Sequence, residues 1–405
     1  MSIIDKMYDL WHIHGKTYDL TSFLEQHPGG RAILEKTRGQ KDISALFETY
    51  HAFSDIQQIE TILQKYQVAG SDEEPMFDFR QYRQCVEQIR TLLPGRANIK
   101  ADASWLLINV LVLGVYMCAL SFATCSTYHT LVKCFAAMVA ASCESSQFFT
   151  TLHDASHYAI TTNPHTNEVI SKVWNSWTLW NHHLWFYHHV YYHHSFTGLQ
   201  NDPDANIYDI WSIFNLKVKY FPGIQALYAF FPGQHYLQSI WYVIASFEHS
   251  SNVKRKEYRL PKIVYYDNVD MLFVALKLNL FWFMGLCPTI LYMMVHSFLY
   301  YINVFADHDL YESKVDNHYE GNNWFKMQVH NSAGFMQQCR WWAVFFGGIN
   351  YQIEHHLFPN MCHVHYAKIA HIVREFCESH HIKYVHYDTL GDAYASFQKS
   401  MKKLH

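Results

Sequence analysis

The chain contains a run of 19 residues without a single charge, Trp105–Ala123. As an α-helix rising about 1.5 Å per residue, this run is roughly 28 Å long, close to the thickness of the hydrocarbon core of a bilayer. A second apolar run, residues 131–149, is weaker because it carries Lys133 and Glu144. A longer one, residues 271–306, is weakened by Lys277 and Asn279 and interrupted near Pro288. We therefore predict an all-α membrane region with about four spanning helices, arranged as two hairpins.

Basic residues in the loop between these hairpins predict the orientation of the chain. Ser251–Lys262 carries five Lys or Arg, and such loops usually lie in the cytosol. An even number of spans then places the N-terminal region, the central region and the C-terminal region in the cytosol too. Residues 224–246 are also apolar, and we expect them to lie in the membrane plane or on the cytosolic domain. Lys402 and Lys403 resemble a dilysine retrieval signal, which indicates the endoplasmic reticulum.

The composition excludes several classes of protein. Only 16% of the residues are charged, against roughly a quarter in typical soluble proteins, which agrees with a membrane protein. The net charge of −4 argues against a nucleic-acid partner. The nine cysteines are scattered without a Cys-x-x-Cys pair, which argues against zinc fingers and disulfide frameworks and favours a reducing compartment. The polar N-terminus predicts that no signal peptide is cleaved.

A small soluble domain is predicted before the apolar runs. Its first segment, Trp11–Leu20, has the pattern of a short hairpin, and helices are expected to follow. The sequence His27-Pro-Gly-Gly30 forms a tight turn that holds the imidazole on a loop, and His51 follows 24 residues later. Two imidazoles on opposing loops suit both axial positions of a haem iron. Such a haem passes electrons but has no open position for dioxygen.

This segment resembles the haem-binding motif of the cytochrome b5 family. The motif begins at His27, the spacing to His51 also matches, and the resemblance covers residues 8–70. It implies an α+β domain in which His27 and His51 are the two ligands of haem b.

The predicted domain therefore has a boundary before the first apolar run. We assign residues 1–70 to the haem domain, residues 71–104 to a linker and residues 105–405 to the membrane domain. Within the linker, residues 76–93 are expected to form one polar helix, which Pro94 and the following glycine end. We expect this helix to act as a tether between the two domains.

Three groups of polar residues, mostly histidines, lie next to the ends of apolar runs. They are His153 and His157; His189, His193 and His194; and Gln352, His355 and His356. Residues three and four apart are neighbours on a helix, so each group can direct its side chains to one side. Seven imidazoles exceed what one metal needs, which indicates two metals. Nitrogen ligands with open coordination positions suit redox iron that activates dioxygen.

Other polar residues near these groups are candidates for supporting roles. His308 directly follows the last apolar run and is a candidate additional ligand, whereas a contact of Gln352 or His330 with a metal is left open. Residues expected to pack around the ligands or support them are His182, His183 and His188. Carboxylates that could fix imidazole tautomers are Asp154, Asp202, Asp204 and Glu354. Histidines expected on the surface are His363, His365, His380 and His381.

The three groups, in this order and between paired apolar runs, resemble the histidine boxes of the membrane fatty acyl desaturases. The fused haem domain, and Gln352 where other desaturases have a histidine, resemble the front-end subgroup. The resemblance implies that dioxygen and a di-iron centre remove two hydrogens from neighbouring methylenes. It also implies a new double bond between an existing one and the carboxyl end, with electrons from NADH through cytochrome b5 reductase. The seven box histidines would bind iron, and Gln352 would replace or orient a ligand.

Related chemistries remain open at this point. A sphingoid-base desaturase or an acyl hydroxylase could use the same di-iron site, and the acyl chain could be linked to coenzyme A or to a phospholipid. A more distant alternative is a membrane haem electron carrier that transports metals. A transporter, however, should place its histidines within the spans, near the midplane of the bilayer.

Aromatic residues between the histidine groups have two interpretations. Because all methylenes of an acyl chain are chemically similar, position selects the carbon that reacts, and a narrow apolar tunnel is expected. Aromatic residues from 174–187 and 341–346 could form its walls. Alternatively, the tryptophans of these segments could only mark the membrane interface. They are Trp174, Trp177, Trp180, Trp341 and Trp342.

Overall fold

A computed structural model describes residues 10–70, 72–204 and 267–404 of the chain. The basic loop Ser251–Lys262 and the apolar stretch 224–246 lie outside the described residues.

The chain begins with the predicted hairpin. Strands β1 (Trp11–Ile13) and β2 (Lys16–Tyr18) pair antiparallel, with Trp11 opposite Tyr18. The two turn residues between them both have positive φ, as a two-residue type I′ turn requires. Glycine is needed at position 15, because a Cβ there would lie 2.1 Å from the carbonyl oxygen of Glu73.

Short helices complete this first unit. A 3₁₀ turn, Thr21–Gln26, leads into α1 (Arg31–Thr37), α2 (Ser44–His51) and α3 (Ile56–Gln64). The Trp11 side chain is fully buried beneath them, and its indole N–H donates to the carbonyl of Leu34 at 2.8 Å. The sequence thus predicts this α+β unit well, and α2 runs directly into His51.

The segment that we expected to be a tether is instead packed into the protein. Helix α4 (Arg80–Leu92) buries four side chains with i, i+3, i+4, i+7 spacing, namely Tyr82, Cys85, Val86 and Ile89. On its other side, Arg83 donates to the buried carboxylate of Glu48 at 2.5 Å. Most other residues of the helix are polar, but this narrow apolar stripe packs the linker between the haem domain and the rest of the chain.

The remainder of the described chain is almost entirely helical. Its α-helices are α5 (Ala103–Thr124), α6 (Thr130–Gln147), α7 (His153–Ser156), α8 (Pro164–Trp177), α9 (His182–Trp185), α10 (His194–Phe196), α11 (Asn268–Met284), α12 (Leu286–Val304), α13 (Trp324–His330), α14 (Arg340–Phe345), α15 (Gln352–Leu357), α16 (Tyr366–Ser379) and α17 (Leu390–Leu404). Its π-helical segments are Phe148–Leu152, Phe186–His193 and Glu312–Asp316. Its 3₁₀ turns are Arg96–Ile99, Ile349–Tyr351 and His363–His365. Strands β3 (Gly334–Phe335) and β4 (His386–Tyr387) pair parallel.

The four long helices α5, α6, α11 and α12 correspond to the predicted apolar runs. The turn between α11 and α12 is formed by Gly285, with φ 84°, and Pro288 lies in the first turn of α12. Glu144 of α6 accepts hydrogen bonds from Lys277 of α11 and Tyr116 of α5, both at 2.5 Å. It also accepts one from the hydroxyl of Tyr292 of α12. Glu144 and Lys277, which weaken the apolar pattern in the sequence, therefore pair in the interior, where an unpaired charge would be costly.

Apolar side chains cover the outer faces of these helices. Exposed examples are Leu106, Leu107, Leu111, Met271, Leu272 and Trp282. Within the described ranges, one helical stretch, Arg96–Thr124, is long and apolar enough to cross a membrane by length and composition alone. Large exposed apolar surfaces are typical of faces that meet lipid or another protein.

The haem domain and the C-terminal helices share one hydrophobic core. Buried residues of β1, α2 and α4 lie in the same cluster as those of α13, α15 and α16. Across this junction, the rings of Phe53 and Phe358 are 6.2 Å apart. The junction brings the C-terminal end of α2 close to the helices that carry the histidine groups.

Candidate haem pocket and metal centre

His27 and His51 face each other across a pocket in the first domain. Their ring centroids are 6.2 Å apart. Metal–imidazole bonds are about 2.0–2.1 Å long, so two rings that share one metal hold their centres roughly 6 Å apart. The Nδ1–H of His27 donates to the carbonyl of Gly30 at 3.1 Å, and that of His51 donates to the carbonyl of Phe47 at 2.8 Å. These bonds leave Nε2 of each ring for a metal.

The walls of this pocket suit a large apolar ligand. The cavity has a volume of about 330 Å³, and apolar side chains dominate its lining. Among them are Leu20, Phe23, Ile33, Leu46, Phe47 and Ile59. A side chain at Gly29 would come within 2.6 Å of the His27 ring, so this glycine allows the ring its position. Burial lowers the pKa of His27, and it lowers that of His51 to about 4, so both rings are neutral at pH 7.

One wall of the pocket comes from outside the haem domain. Arg96 and Lys100 of the linker, Tyr158 beside the first histidine group and Asn360 after the third group all line the cavity. The pocket is thus directly adjacent to the segments that carry the histidine groups.

Two of these groups lie on or next to π-helical turns. Phe148–Leu152 directly precedes His153, and Phe186–His193 contains His189 and His193. A π-helix repeats near every fifth rather than every fourth residue, so His189, His193 and His194 can all face one side. The sequence predicts this shared face from α-helical spacing, and the wider π turn is what brings in His194 as well.

The imidazoles converge into two adjacent sets. Ligand atoms of His153, His157, His189 and His355 lie within 4.8 Å of one another. Those of His193, His308 and His356 form a second set with the same limit. The ring of His194 lies between the sets, with its centroid 4.5 Å from that of His157 and 4.3 Å from that of His356. All seven predicted box histidines, and His308 with them, therefore meet in one place.

The buried nitrogens of this cluster are suited to metal ions. Both ring nitrogens of His157 and of His194 have no hydrogen-bond partner within the described part of the chain, although both residues are buried. The same holds there for Nε2 of His355 and of His356. Burial lowers the pKa of His157, His194 and His355 well below the usual range, so these imidazoles are neutral and keep a free lone pair. Buried polar atoms without partners are rare, and a metal would satisfy these.

Carboxylates support one side of the cluster, as two of the predicted residues show. Nδ1–H of His193 donates to Asp202 at 3.0 Å, and Nε2–H of His188 donates to Asp204 at 2.9 Å. Burial alone would lower the pKa of His193, but Asp202 and Asp204 raise it to about 9. A carboxylate that holds one nitrogen of a ligand fixes the orientation of the ring and makes the other nitrogen more basic.

Neutral groups support the other side of the cluster, and no motif in the sequence indicates this role. Nδ1–H of His356 donates to the side-chain oxygen of Gln328 at 2.9 Å, and the ring of His355 bonds to the hydroxyl of Tyr366 at 3.0 Å. Nδ1–H of His308 donates to the carbonyl of Asn331 at 2.8 Å. These residues stand alone in the sequence, and only the fold shows their role.

Gln352 lies beside the second set. Its side-chain amide is 2.9 Å from Nε2 of His308, and its amide oxygen is buried without a partner among the described residues. Because the O and N atoms of an amide are assigned from their surroundings, either could face the set. His330 instead bonds to the carbonyl of Asn317, away from both sets.

Two predicted supporting carboxylates have other partners. Asp154 accepts from Nδ1–H of His363 at 2.7 Å, and Glu354 accepts from the hydroxyl of Tyr384 at 2.9 Å. The prediction that His363 and His365 lie on the surface is wrong. Both are buried, and Nε2–H of His365 donates to the carbonyl of Lys100 at 2.8 Å. The chain after the third group folds back beneath the first group, which a sequence pattern does not reveal.

The other histidines and the tryptophans divide by location. His182 and His188 are buried against carboxylates, in line with a packing or supporting role. The same prediction for His183 is wrong, because its side chain is exposed, whereas His381 is exposed as predicted and His380 is half-buried. Trp180 is 1% exposed and lies in the interior, whereas Trp341 is 82% exposed. The interior position suits a wall and the exposed one suits a membrane interface, so each interpretation applies to a different residue.

Two family models match the chain. The model described as fatty acid desaturase matches residues 128–388, and the cytochrome b5-like heme/steroid binding domain matches residues 4–71. The first domain is thus a haem-binding domain, and the histidine cluster fits the di-iron site of the second.

Similar proteins match the chain over nearly its whole length. An acyl-lipid (8-3)-desaturase of Mortierella alpina is 25% identical, over 97% of this chain and 93% of its own. Delta(5) fatty acid desaturase A of Dictyostelium discoideum is 26% identical, over 93% and 86% of the two chains. Delta(8)-fatty-acid desaturase 2 of Arabidopsis thaliana is 24% identical, over 94% and 86%. The chain therefore belongs to the fatty acid desaturase family, as an oxygen-dependent oxidoreductase with a fused cytochrome b5-like haem domain.

Proposed function

We propose that this protein is a front-end desaturase, which inserts a cis double bond between the carboxyl end and an existing double bond of a polyunsaturated acyl chain. The observation that carries the proposal is the cluster of eight imidazoles, seven of them buried and His308 half-buried, next to a haem pocket of the same chain. The names of the similar proteins support the reaction, because each of them is a desaturase of acyl or fatty-acid substrates.

We assign the haem to His27 and His51 and the two irons to the two sets of imidazoles. One iron would be held by His153, His157, His189 and His355, and the other by His193, His308 and His356. His194 lies between the sets and can serve either ion. Gln352 orients His308 or contacts the second iron. This assignment uses all seven box histidines and adds His308.

The chain itself supplies positioning and exclusion of water. Bound irons activate dioxygen so that hydrogen can be removed from an unactivated methylene. The hydrogen bonds to Asp202, Gln328 and Tyr366 hold three imidazoles in fixed orientations. Burial keeps His157, His194 and His355 neutral and ready to bind metal. An apolar wall that includes Trp180 would keep the acyl chain in register.

The cellular setting follows from the same proposal. Helices α5, α6, α11 and α12 would span the endoplasmic reticulum membrane as two hairpins, with both termini in the cytosol. Lys402 and Lys403 would act in retrieval, and NADH–cytochrome b5 reductase would reduce the haem. The haem domain would comprise residues 1–70, and the desaturase domain residues 105–405, with residues 71–104 forming a packed junction. The acyl chain would be carried by coenzyme A or a phospholipid.

Expression in a yeast host fed single defined polyunsaturated acids tests this proposal. We expect a product with one additional double bond on the carboxyl side of the bonds already present, located by mass spectrometry of derivatised lipids. Its position assigns the delta type, and its distribution between coenzyme A and phospholipid pools assigns the carrier. Hydroxylated acids, or desaturated sphingoid bases alone, would contradict the proposal. The family match itself already argues against a metal transporter.

A further inference from the structure

The haem domain meets the desaturase domain through a pair of tyrosines. The rings of Tyr50 and Tyr158 are 5.9 Å apart and nearly perpendicular, with an angle of 76° between them. Both line the haem cavity. Edge-to-face contacts at this distance are favourable, and they bring two conjugated rings into van der Waals contact.

Each of these tyrosines is adjacent in the chain to a proposed metal ligand. Tyr50 directly precedes His51, one of the proposed haem ligands, and Tyr158 directly follows His157, one of the proposed iron ligands. Tyr158 has a left-handed backbone with φ 57°, which is uncommon for a residue other than glycine. The chain therefore reverses sharply at Tyr158, immediately after the metal ligand and at the wall of the haem pocket.

Hydrogen bonds join the same two residues a second time. The side-chain amide of Asn360 donates to the carbonyl of Tyr50 at 3.2 Å. The ammonium of Lys100 donates to the carbonyl of Asn360 at 2.7 Å and to the carbonyl of Tyr158 at 2.8 Å. A bonded path therefore leads from Tyr50 through Asn360 and Lys100 to Tyr158, parallel to the ring contact.

Charged groups fix the Tyr158 ring from its far end. Its hydroxyl donates to Glu168, and the same carboxylate accepts from the ammonium of Lys36 at 2.7 and 2.8 Å. Lys36 belongs to the haem domain, and Glu168 belongs to α8. The position of the ring therefore depends on the docking of the two domains.

We propose that Tyr50 and Tyr158, bridged by Asn360 and Lys100, form the route by which electrons pass from the haem to the iron site. The inference rests on the proposed function, since it requires haem at His51 and iron at His157. Tunnelling decays less steeply through hydrogen bonds and through rings in van der Waals contact than across open gaps, so both the ring contact and the hydrogen-bonded path favour this route. In each transfer one electron leaves the reduced haem and one arrives at the iron site. The tyrosines are neither oxidised nor deprotonated, and no bond forms or breaks.

A second ring contact between the domains provides a matched control. Phe53 and Phe358 are 6.2 Å apart, at an angle of 59°. Each is two residues away from the nearest histidine of its site, His51 or His356, whereas each tyrosine is adjacent to one. The same substitution, aromatic to leucine, can thus be made on and off the proposed route at one interface.

The test follows oxidation of the haem in the full-length protein, loaded with haem and iron, in lipid nanodiscs. The haem is reduced with dithionite and mixed rapidly with oxygenated buffer and acyl substrate, while the haem absorbance is recorded. An iron-free sample gives the background rate. We expect Tyr50→Leu and Tyr158→Leu to slow substrate-dependent oxidation about tenfold, equivalent to about 1.4 kcal/mol of barrier. The haem potential, the haem and iron contents and the KM for substrate should stay unchanged, and Phe53→Leu should oxidise like the wild type.

The outcomes separate the route from the proposed function. If Tyr50→Leu loses its haem, Tyr158→Leu decides the question, because that residue lies outside the haem domain. Both leucines together should slow oxidation no more than the slower single variant, since either substitution alone already removes the ring contact. Wild-type oxidation in the fully loaded tyrosine variants, or an equal slowing in Phe53→Leu, would overturn the route. A wild-type protein without substrate-dependent haem oxidation would instead overturn the proposed function and the route with it.

Discussion

The haem pocket and the imidazole cluster use the same side chain in opposite ways. The pocket takes two histidines from one small domain, 24 positions apart, and fixes each through a backbone carbonyl. The cluster takes eight histidines from four separate parts of the chain. Side chains as different as Asp202, Gln328 and Tyr366 hold those rings. The first site is local and rests on the backbone, and the second is assembled by the whole fold.

The comparison explains what each site can tolerate. A site held by local backbone bonds depends mainly on its own two ligands. A site assembled from distant segments also depends on the residues that orient each ring. It therefore offers more positions at which one substitution weakens metal binding.

The largest effect is expected from removing a shared imidazole of the cluster. His194→Ala should reduce desaturation by more than about 100-fold, beyond the 10- to 100-fold cost typical of losing a group that only supports a ligand. The reason is that His194 lies between both sets. Product analysis and iron content are measured, and His371→Ala, an exposed histidine of α16, is the control. The haem spectrum should remain normal. Activity equal to that of the control would show that His194 does not bind iron.

Removing a haem ligand tests whether the iron site is independent of the haem site. His27→Ala should abolish the haem absorbance and the NADH-driven activity, because a haem with one axial ligand is poorly held, yet it should leave the iron content unchanged. Haem spectra and metal analysis of the purified variant provide the measurement. Iron lost together with haem would mean that the two sites are not independent, and full activity without haem would exclude the fused domain as the electron donor.

A smaller effect is expected from a supporting residue. Asp202→Asn keeps the shape of the side chain but removes the charge that orients His193, so iron affinity or activity should fall about 10- to 100-fold. Iron titration of the metal-free protein measures the affinity. Asp388→Asn, whose side chain is 86% exposed, serves as the control. If Asp202→Asn behaves like the control, the carboxylate does not support the metal centre.

The smallest effect concerns the attachment of the haem domain to the linker helix. Burial opposes ionisation of Glu48, but His14 and Arg83 lower its pKa below the usual 4.5. The unfolded chain then binds a proton more readily than the folded one, so this stabilisation is present above about pH 4.5 and is lost as the pH falls through the lowered pKa. Each unit of pKa shift is worth about 1.4 kcal/mol.

Unfolding temperatures between pH 6 and pH 3 test this prediction. We expect Glu48→Gln to be less stable than the wild type at pH 6 and to approach it at pH 3. A constant difference across that range would show that the ionised carboxylate does not contribute.

The predictability of the two sites from sequence follows the same contrast. The turn at His27 and the hairpin before it are determined by neighbouring residues, so the pattern alone indicates the pocket. The box histidines were also recognisable, because their spacing survives on α- and π-helical turns alike. The position of His308 at the end of α12 made it a candidate, and it lies in the second set.

What the sequence could not show depends on contacts between distant segments. Gln328, Tyr366 and Asn331 are ordinary polar residues until the fold places them against imidazoles. The surface prediction for His363 is wrong for the same reason, since its partner Asp154 lies 209 positions away. The packing of the linker, by contrast, is encoded in the apolar stripe of helix α4 that begins at Tyr82. The many polar residues of the same helix make this stripe hard to recognise in the sequence.

The most direct test of the account is the metal and haem content of the purified full-length protein. Quantitative elemental analysis, together with haem absorbance, should give two irons beyond the haem iron and one haem per chain. Two non-haem irons that disappear in His194→Ala would support the convergent cluster as the site of catalysis. Zinc in place of iron, or no metal beyond the haem, would contradict it.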